Sequence, residues 1–476
     1  MASTPPMKRG RYCCSLCGLP KKGHDCSFAG ESPAPALMPV VAPAVVDPAP
    51  VAADYISALP DDVLGTIISS LPTDDAVRTE TISRRWIHLW RSSAPLNLDD
   101  RDLHQWVSGD NLVPIVSKIL STPRQTYARR LCLNTLCCHS GDADRYPVFD
   151  GWFQSPVLDH LDELDFSYVR VLGNAPLQAQ ELMPPLPPSA LRFSSLRLAT
   201  ISLCHFPQDL AGVHFPNLID LTLSRITNYE NTLHAMIAAC PRLHTLFMDR
   251  NYHFRRVYIR SHSLVSVRLL VDPCNYVMDQ LIIGCTPNLE KLIIQEQGNG
   301  PRIIRVLDAP KIQILDCLRT DMMSTVQMGK TTFQAMVDNS HKSSFRNVKI
   351  LYIIIEALKL NHVIDVLKCF PCLQQFHIRS LMRHVPMRIN DKPADGTVDC
   401  IHKHLKQIEV TNYSGNISDA NFFKFFILNA RVLELVKLHI PFRINNKWRS
   451  KQRKQMNFLN RASPNALIQF EGSVSR

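Results

Sequence analysis

The chain has 476 residues, enough for more than one domain, and its contents of 45% hydrophobic and 20% charged residues are typical of a soluble globular protein. No uninterrupted apolar run approaches the length of a membrane span, which argues against a membrane partner. The formal net charge of +11 favours acidic partners, yet no run of basic residues interleaved with aromatic ones indicates a nucleic-acid groove. The first residues lack the apolar core of a secretory signal. The 15 cysteines are therefore expected to be free thiols in a reducing compartment, cytoplasmic and/or nuclear.

Residues 1–30 form a basic tail with one candidate metal site. Its potential ligands are Cys14, Cys17, His24 and Cys26. A Cys-x-x-Cys turn presents two thiolates to one ion, and the later histidine and cysteine could complete a tetrahedron around Zn²⁺. The stretch resembles a short zinc knuckle, although only one residue separates its histidine from its last cysteine. The alternative is a tail whose cysteines bind nothing. Residues 31–53 are rich in proline and alanine and predict an extended, disordered linker.

Residues 54–98 predict a three-helix piece with more apolar side chains than it can bury by itself. Pro60 suits the first turn of a helix, acidic residues follow it at the positive helix end, and Pro72 ends the helix. Apolar residues at helical spacing are Val63, Leu64, Ile67, Ile68 and Leu71, followed by Trp86, Leu89 and Trp90. A piece of roughly 40 residues is near the lower limit for an independent core. The surplus must therefore face another part of the chain or another protein.

The same residues resemble an F-box. The matching features are Leu59-Pro60-Asp61-Asp62-Val63-Leu64, Ile67-Ile68, Leu71-Pro72, Ala76-Val77-Arg78-Thr79 and Ser83-Arg84-Arg85-Trp86 with Trp90. The resemblance implies a module that docks on a Skp1-like adaptor, and through it on the cullin, of an SCF ubiquitin ligase. The implied adaptor contacts are Leu59, Pro60, Val63, Leu64, Ile67, Leu71, Pro72, Val77, Ile82 and Trp86. The alternative is a helical hairpin that caps a larger core.

Residues 99–127 predict a helical connector. From about residue 128 a six-residue unit, apolar-x-x-apolar-x-apolar, returns at intervals of about 25 residues and continues into the C-terminal region, so residues 128–397 are assigned to leucine-rich repeats. The copies of this unit begin at Leu161, Phe193, Leu218, Leu243, Leu264, Leu289, Ile312, Val348, Leu373, Leu405 and Leu433. Proline often precedes the unit by two residues, which predicts one helix and one short strand per repeat. The fold class is therefore an α/β solenoid with a parallel sheet and helices on its convex side. The polar segment 320–346 is expected to be an insertion or loop.

Residues 398–476 resemble the FBD domain of plant F-box proteins. The resemblance rests on His404 to Val410, Phe422 to Leu428 and Asn429 to Glu434, with later pieces between Lys447 and Pro464. F-box, repeats and FBD-like tail in this order make the chain similar to the plant F-box/LRR/FBD family. The tail should cap the open end of the solenoid, which would otherwise leave a bare apolar face.

The sequence contains no recognisable catalytic motif. It has neither a Gly-rich phosphate loop nor a Gly-x-Ser-x-Gly elbow nor a kinase signature. Cys137-Cys138-His139 is interpreted as a loop, because adjacent residues seldom align as nucleophile and base. Cys369 and Cys372 occupy a slot before a repeat strand and are interpreted as core cysteines. A non-enzymatic protein is expected, with no cofactor for its main function and zinc only as a candidate in the tail.

These observations predict the substrate-recognition subunit of an SCF E3 ubiquitin ligase, which holds an unidentified target protein on the repeats. A target along the concave strands would contact Asp220, Thr222, His244, Phe247, Arg268, Glu290, Lys291, Gln375 and His377. The alternative for each of these residues is a solvated sheet face. A second hypothesis is a binding module outside ubiquitination that binds nucleic acid through the basic Cys/His tail, and a third is an enzyme.

Overall fold

The computed structural model describes residues 55–56, 58–93, 96–104, 109–123, 126–137, 146–169, 183–227, 230–271, 278–296, 301–319, 325–329, 331–334, 337–338, 345–355, 358, 360–381 and 398–472. The chain divides into two compact units, Met1–Ala58 and Leu59–Arg476, and the fold below is that of the second. The proposed zinc ligands Cys14, Cys17, His24 and Cys26 and the linker 31–53 lie outside the described residues, so both stay predictions. Among the described helices, none has the length and apolar character that crossing a membrane requires.

The helices are mostly short. They are α1 (Asp61–Ser69), α2 (Thr73–Arg78), α3 (Arg84–His88), α4 (Asp100–His104), α5 (Gly109–Ser121), α6 (Tyr146–Phe153), α7 (Glu230–Ala238), α8 (Leu360–Lys368), α9 (Asp399–Lys403), α10 (Ile417–Asn429) and α11 (Asn446–Gln455). A π-helical turn, Leu89–Ser93, continues α3. Four 3₁₀ turns, Thr79–Thr81, Pro156–Leu158, Pro188–Leu191 and Phe458–Asn460, complete the described helical structure.

The strands form two sheets. They are β1 (Leu96–Asp99), β2 (Ala128–Cys137), β3 (Glu163–Val169), β4 (Leu198–Ser202), β5 (Asp220–Ser224), β6 (Thr245–Asp249), β7 (Arg256–Ile259), β8 (Ser266–Val271), β9 (Gln280–Cys285), β10 (Lys291–Glu296), β11 (Ile303–Asp308), β12 (Ile314–Arg319), β13 (Thr325–Met328), β14 (Thr331–Gln334), β15 (Val337–Asp338), β16 (Ile350–Ile355), β17 (Gln375–Ser380), β18 (Gln407–Thr411), β19 (Leu435–Ile440) and β20 (Leu467–Gly472). The larger sheet has 14 strands in the order β1-β2-β3-β4-β5-β6-β8-β10-β12-β16-β17-β18-β19-β20, and the smaller has six in the order β15-β14-β13-β11-β9-β7.

The 14-stranded sheet is the solenoid that the repeats predict. In β5, Leu221 and Leu223 are buried while the residues between them face away from the core, which is the alternation of a strand with one covered face. Leu218, the first apolar residue of that repeat, is also fully buried. Neighbouring strands pair in parallel with aligned register, so that Leu221 stands opposite Leu246. The α/β fold class with a large parallel sheet is thereby confirmed. We call the side opposite the core, which is the predicted concave side, the open face.

A helix was predicted in every repeat, but in the middle repeats the segments that connect the strands of the larger sheet are themselves strands. The chain returns from β6, β8 and β10 through the strands β7, β9 and β11, which pair in parallel in the smaller sheet. Val257 and Ile259 in β7 are fully buried, whereas Tyr258 between them is exposed. This two-residue alternation of β-branched residues favours a strand over a helix.

The segment 320–346 was also expected to be a loop, and its described part consists of strands. β13 extends the smaller sheet in parallel beside β11, and β14 folds back antiparallel to β13. Gly329 in the connection has a φ of 55°, which glycine adopts without strain. Phe333 of β14 is buried and stacks on Phe370 with 6.2 Å between ring centroids. The segment therefore closes the end of the smaller sheet.

One repeat is shifted by three residues from its predicted register. The unit beginning at Phe193 assigned Leu198 to the core, but Leu198 faces outward, is 38% exposed and stands opposite Asp220. The inward residues of β4 are Ala199 and Ile201. The unit is thus Leu196-x-x-Ala199-x-Ile201. Alanine is a weak apolar signal, and a neighbouring leucine concealed the true register.

The residues before the repeats pack against the first turn of the solenoid. β1, within the segment predicted as F-box, is the first strand of the 14-stranded sheet and pairs with β2. Asp100, which follows β1 and is fully buried, accepts hydrogen bonds from the backbone N–H groups of Asn134 and Thr135 at 2.9 and 2.8 Å. The buried side chains of the three-helix piece belong to the same apolar core as those of the repeats.

The C-terminal segment adds three strands rather than only a lid. β18, β19 and β20 continue the parallel sheet, and α10 and α11 cover its back. The side chain of Gln452 is buried in α11, where its amide donates to Gly415 O and its carbonyl accepts from the Tyr413 hydroxyl. The rest of α11 is polar and exposed apart from the partly buried Trp448 and Gln455. The segment both extends and ends the solenoid, as its predicted capping role requires.

Candidate functional site

Helix α1 carries apolar side chains on two sides. Leu64 and Ile68, one helical turn apart, are fully buried in the core. Val63 and Ile67, each one position earlier, remain 42% and 40% exposed. Because adjacent helical residues differ in direction by about 100°, one pair anchors the helix and the other faces outward. An apolar outer side beside a filled core is the mark of a contact surface.

Ionic contacts fix the ends of this three-helix piece. Arg85 on α3 donates from Nε to Asp61 Oδ1 at 2.7 Å and from Nη2 to the carbonyl oxygen of Leu59 at 2.6 Å. Arg91 pairs with Glu80 through two hydrogen bonds of 2.9 and 3.0 Å. These contacts hold the start of α1 against α3, and the 3₁₀ turn against the π-helical turn. The outer apolar residues are thus presented by a fixed support.

The structure divides the predicted adaptor contacts into three groups. The exposed ones are Pro60, Val63, Ile67, Pro72, Val77 and Ile82. Leu59 and Leu71 are partly buried and pack against the core. Leu64 and Trp86 are only 0% and 4% exposed, so their assignment as contacts is wrong. They support the surface from below, because both point into the core that this piece shares with the solenoid.

Most of the predicted target contacts lie on the open face. Asp220, Thr222, Phe247, Arg268, Lys291, Gln375 and His377 occupy outward positions of their strands. Thr222, Phe247 and Arg268 stand opposite one another on β5, β6 and β8, and the guanidinium of Arg268 lies 5.7 Å from the centre of the Phe247 ring. His244 and Glu290 differ from the prediction. Each directly precedes a strand and lies in the turn, because the strands begin one residue later.

The most connected polar group on the open face runs across β16 to β20, and we call it the ladder. Its members are Tyr352, His377, Glu409, Lys437, His439 and Glu471. Glu409 Oε2 lies 3.1 Å from His377 Nδ1, and Glu409 Oε1 lies 2.6 Å from His439 Nε2. The rings of Tyr352 and His377 stack with 4.1 Å between centroids and 11° between planes.

Burial and the neighbouring charges set the protonation states in the ladder. Burial lowers the pKa of His377 below its ordinary 6.5, although Glu409 opposes that effect. Burial alone would raise the pKa of Glu409, but the hydrogen bond from His439 and the influence of His377 and Lys437 outweigh it and hold the pKa below 4.5. At neutral pH Glu409 is therefore ionised and His377 is neutral. Since a carboxylate only accepts hydrogen bonds, the N–H of His377 is at Nδ1.

A cavity of about 540 Å³ opens beside the ladder. Its polar lining includes Gln295, Asp316, Tyr352, His377, Arg379 and Glu409. Ile354 and Leu270 contribute apolar surface. The volume is in the range of about 300–1,000 Å³ typical of ligand pockets.

Sequence reasoning identified only His377 in this group. Asp316, Tyr352, His377, Glu409 and Lys437 stand opposite one another on successive strands. In the sequence, Tyr352, His377, Glu409 and Lys437 each lie between the second and third apolar residues of a repeat unit. Aligning that position down the repeats would have placed them in one row.

Comparison with known proteins identifies the parts of the chain. The family profile described as "FBD-associated F-box protein At5g56370, LRR repeats" matches residues 149–378, the FBD profile matches 392–438, and the F-box domain profile matches 56–97. The chain thus carries an F-box, leucine-rich repeats and an FBD segment in this order. The resemblance inferred from its motifs is confirmed.

Similar proteins occur in Arabidopsis thaliana. The F-box/LRR-repeat protein At2g42730 is 24% identical over 489 residues, which cover 88% of this chain and 98% of that protein. F-box/LRR-repeat protein 13 is 28% identical over 254 residues, or 51% of this chain and 52% of that protein. The FBD-associated F-box protein At5g38590 is 27% identical over 265 residues, or 55% and 60%. The alignments with the last two relatives thus span little more than half of their lengths.

The matched domains coincide with the two candidate surfaces. The F-box match contains Val63, Ile67, Val77 and Ile82 and ends within β1. The ladder crosses a domain boundary, because its first two residues lie in the LRR match and Glu409 lies in the FBD match. The strands nevertheless continue as a single sheet through this boundary. Both candidate surfaces therefore belong to the unit Leu59–Arg476.

The most buried cysteines of the described part are poor nucleophiles, because burial disfavours their thiolates. Burial raises the pKa of the Cys240 and Cys400 thiols to about 12, and it also raises the pKa of Cys204. Asp99, Asp100 and Cys132 lie close enough to share a metal ion. Existing partners account for this cluster, because Asp99 pairs with Arg101 at 2.6 Å and Asp100 accepts the two backbone hydrogen bonds at β2. Cys369 is buried, in agreement with a core role, whereas Cys372 is only partly buried. Cys137 ends β2, and Cys138 and His139 lie outside the described residues.

Proposed function

We propose that this chain is the substrate-recognition subunit of an SCF-type E3 ubiquitin ligase, which docks on a Skp1-like adaptor, and through it on the cullin, by means of its F-box. The observation that carries the proposal is the pair of exposed residues Val63 and Ile67 above the buried pair Leu64 and Ile68. The inner pair already anchors α1, so the outer pair is left for a second protein to cover. Val77 and Ile82, which are 37% and 59% exposed, are further apolar side chains that a second protein could cover.

Free energy supports a binding role for these side chains. Burying a whole valine or isoleucine is worth roughly 1.5–3 kcal/mol, and four of them with about half of their surface exposed would contribute about 3–6 kcal/mol to an interface. This is a substantial share of the roughly 8 kcal/mol that a micromolar complex requires. The partly buried Leu59 and Leu71 lie beside them in the sequence and add contact area.

The protein would act by proximity and would contribute no reacting group. It would hold a target near the conjugating enzyme and so raise the local concentration of the target's lysines. One observation supports a non-catalytic role: burial raises the pKa values of the most buried thiols in the described part of the chain. The open face, with its mixed apolar and charged rows, is the proposed site of the target.

Val63→Asp tests the docking assignment most directly. The substitution places a charge on the exposed side of α1 in its first turn, where an acidic residue is compatible with the helix. We expect capture of a purified plant Skp1-like adaptor to be lost. Val432→Asp is the matched control, since Val432 is 38% exposed and lies in the FBD region. Equal capture by both folded variants would refute the assignment, as would capture that survives Leu59→Ala combined with Pro60→Ala.

A further inference from the structure

The cavity beside the ladder is built by two domains. Asp316, Tyr352 and His377 lie in the LRR match, and Arg379 follows its end in the same strand β17, whereas Glu409 and Thr411 come from β18 in the FBD match. Glu409 stands opposite His377 and fixes the direction of its ring through Nδ1. Removing the FBD strand would therefore remove one wall of the cavity and the group that orients the imidazole.

His377 has one ring nitrogen without a partner. Its Nδ1–H donates to Glu409, so the neutral ring keeps a lone pair on Nε2. Nε2 is almost fully screened from solvent and finds no hydrogen-bond partner among the described residues. The stack with Tyr352 prevents the ring from turning Nε2 freely toward another neighbour. A buried acceptor without a donor is unfavourable, so Nε2 calls for a donor from outside the described residues.

The charge of the lining selects the kind of donor. Asp316 and Glu409 carry two negative charges against the single positive charge of Arg379, and both Asp316 and Arg379 are already engaged by neighbours. The charges of the lining residues alone therefore sum to minus one while His377 is neutral, and Lys437, next to the lining, lies 3.8 Å from Glu409 Oε1 and offsets part of that charge. A donor that carries a positive charge satisfies both conditions, because charge-assisted hydrogen bonds are the stronger ones.

We propose that this cavity is the recognition pocket for a basic side chain, arginine or lysine, of the target, whose N–H donates to His377 Nε2 and whose charge is balanced by Asp316 and Glu409. The inference rests on the proposed function, which supplies a target for the open face. It assigns a binding role to the FBD segment, since Glu409 is the positioning residue that sets the tautomer of His377.

The probe for this pocket is the peptide acetyl-Gly-Arg-Gly-amide, compared with the same peptide carrying the neutral isostere citrulline. The full chain labelled with ¹⁵N-histidine is titrated with each peptide and followed through the imidazole resonances of His377. We expect the arginine peptide to shift the Nε2 resonance, and citrulline to bind roughly tenfold more weakly or worse, the loss typical of one charged hydrogen bond. His377→Phe keeps a ring for the stack on Tyr352 and should weaken the arginine peptide by a similar factor.

Variants of the surroundings separate binding from structure. Glu409→Gln retains an acceptor for Nδ1 but removes the charge, so it should keep the tautomer signature and lose the preference for arginine over citrulline. His244→Phe, on an exposed residue outside the strand rows, should change neither. Equal binding of the two peptides, or unchanged binding by His377→Phe, would overturn the pocket and would indicate that water alone serves Nε2.

The same preparations are tested for capture of the Skp1-like adaptor. Intact adaptor capture without arginine selectivity would refute the pocket alone. Arginine selectivity without adaptor capture would refute the ligase role alone.

Discussion

Replacing Ile67 and Ile82 by alanine together gives a quantitative test of the F-box surface. Ile67 is 40% and Ile82 is 59% exposed. Since burying a whole isoleucine is worth roughly 1.5–3 kcal/mol, the exposed shares correspond to about 0.6–1.2 and about 0.9–1.8 kcal/mol. Their sum, about 1.5–3 kcal/mol, predicts a Kd for the Skp1-like adaptor that is roughly 10- to 150-fold higher.

The same substitutions should leave the fold intact. Truncating an exposed side chain usually changes the free energy of unfolding by less than about 0.5 kcal/mol. Ile68→Ala is the contrasting variant, because Ile68 is fully buried and its truncation should destabilise the chain by about 2–5 kcal/mol. Ile417→Ala is the matched surface control, since Ile417 is 70% exposed at the start of α10.

Isothermal titration calorimetry with the adaptor and urea unfolding of each variant separate the two effects. We expect the double variant to bind weakly and unfold normally, and Ile417→Ala to behave as the wild type in both measurements. A double variant that is fully folded and binds within twofold of the wild type would show that the adaptor does not use this face.

Three further outcomes follow from other parts of the molecule. Gly415→Ala should lower the free energy of unfolding, measured by urea titration, by about 2–4 kcal/mol. A φ of 73° is strained for alanine, and its Cβ would lie 2.5 Å from the indole of Trp448 in α11. Gly212→Ala, with a φ of 80° but open space around the Cβ, should lower it by only about 1–2 kcal/mol. For Glu409 the pKa is lowered in the folded state, so its stabilising effect is present above pH 4.5 and is lost as the pH falls through the folded-state value. The difference in Tm between wild type and Glu409→Gln should accordingly shrink from pH 7 to pH 4, and a constant difference would contradict the ionised ladder. In native protein, iodoacetamide should modify the partly exposed Cys285 and spare the buried Cys204, as peptide mass spectrometry would show; equal modification would mean that the repeat core opens readily.

The sequence predicted the architecture because the repeat unit is a local pattern. Three spaced apolar residues reproduce themselves along the chain whatever the loops between them do, so the parallel sheet and its open face could be inferred. The structure of the segments that connect the repeat strands was harder to predict. Proline before each unit favoured a helix, whereas the alternation in β9, with Leu281 and Ile283 buried, was decisive for a strand. A period of two within four residues carries little weight beside a period repeated over the whole chain.

The candidate surfaces were predicted in part for the same reason. Helical spacing places Val63 and Leu64 on one broad apolar side, and only the packing of α1 shows which of them is buried. The ladder depends on the register between strands about 30 residues apart in the chain. Glu409 meets His377 only because the connection between β17 and β18 restores the alignment, a fact that no local pattern contains.

The strand-backed repeats have a consequence for bending. A helix is about 10 Å wide and neighbouring strands are about 4.8 Å apart, so a helix behind a strand acts as a wedge that curls the sheet. Along β8, β10 and β12 the rear layer consists of β7, β9 and β11 and advances by the same step as the front. No wedge operates there, and this stretch of the face should run straighter than the stretch over β17, β18 and β19, which α8 to α10 support from behind. A partner that reaches from one stretch to the other would have to match a straight edge at one end and a bend at the other.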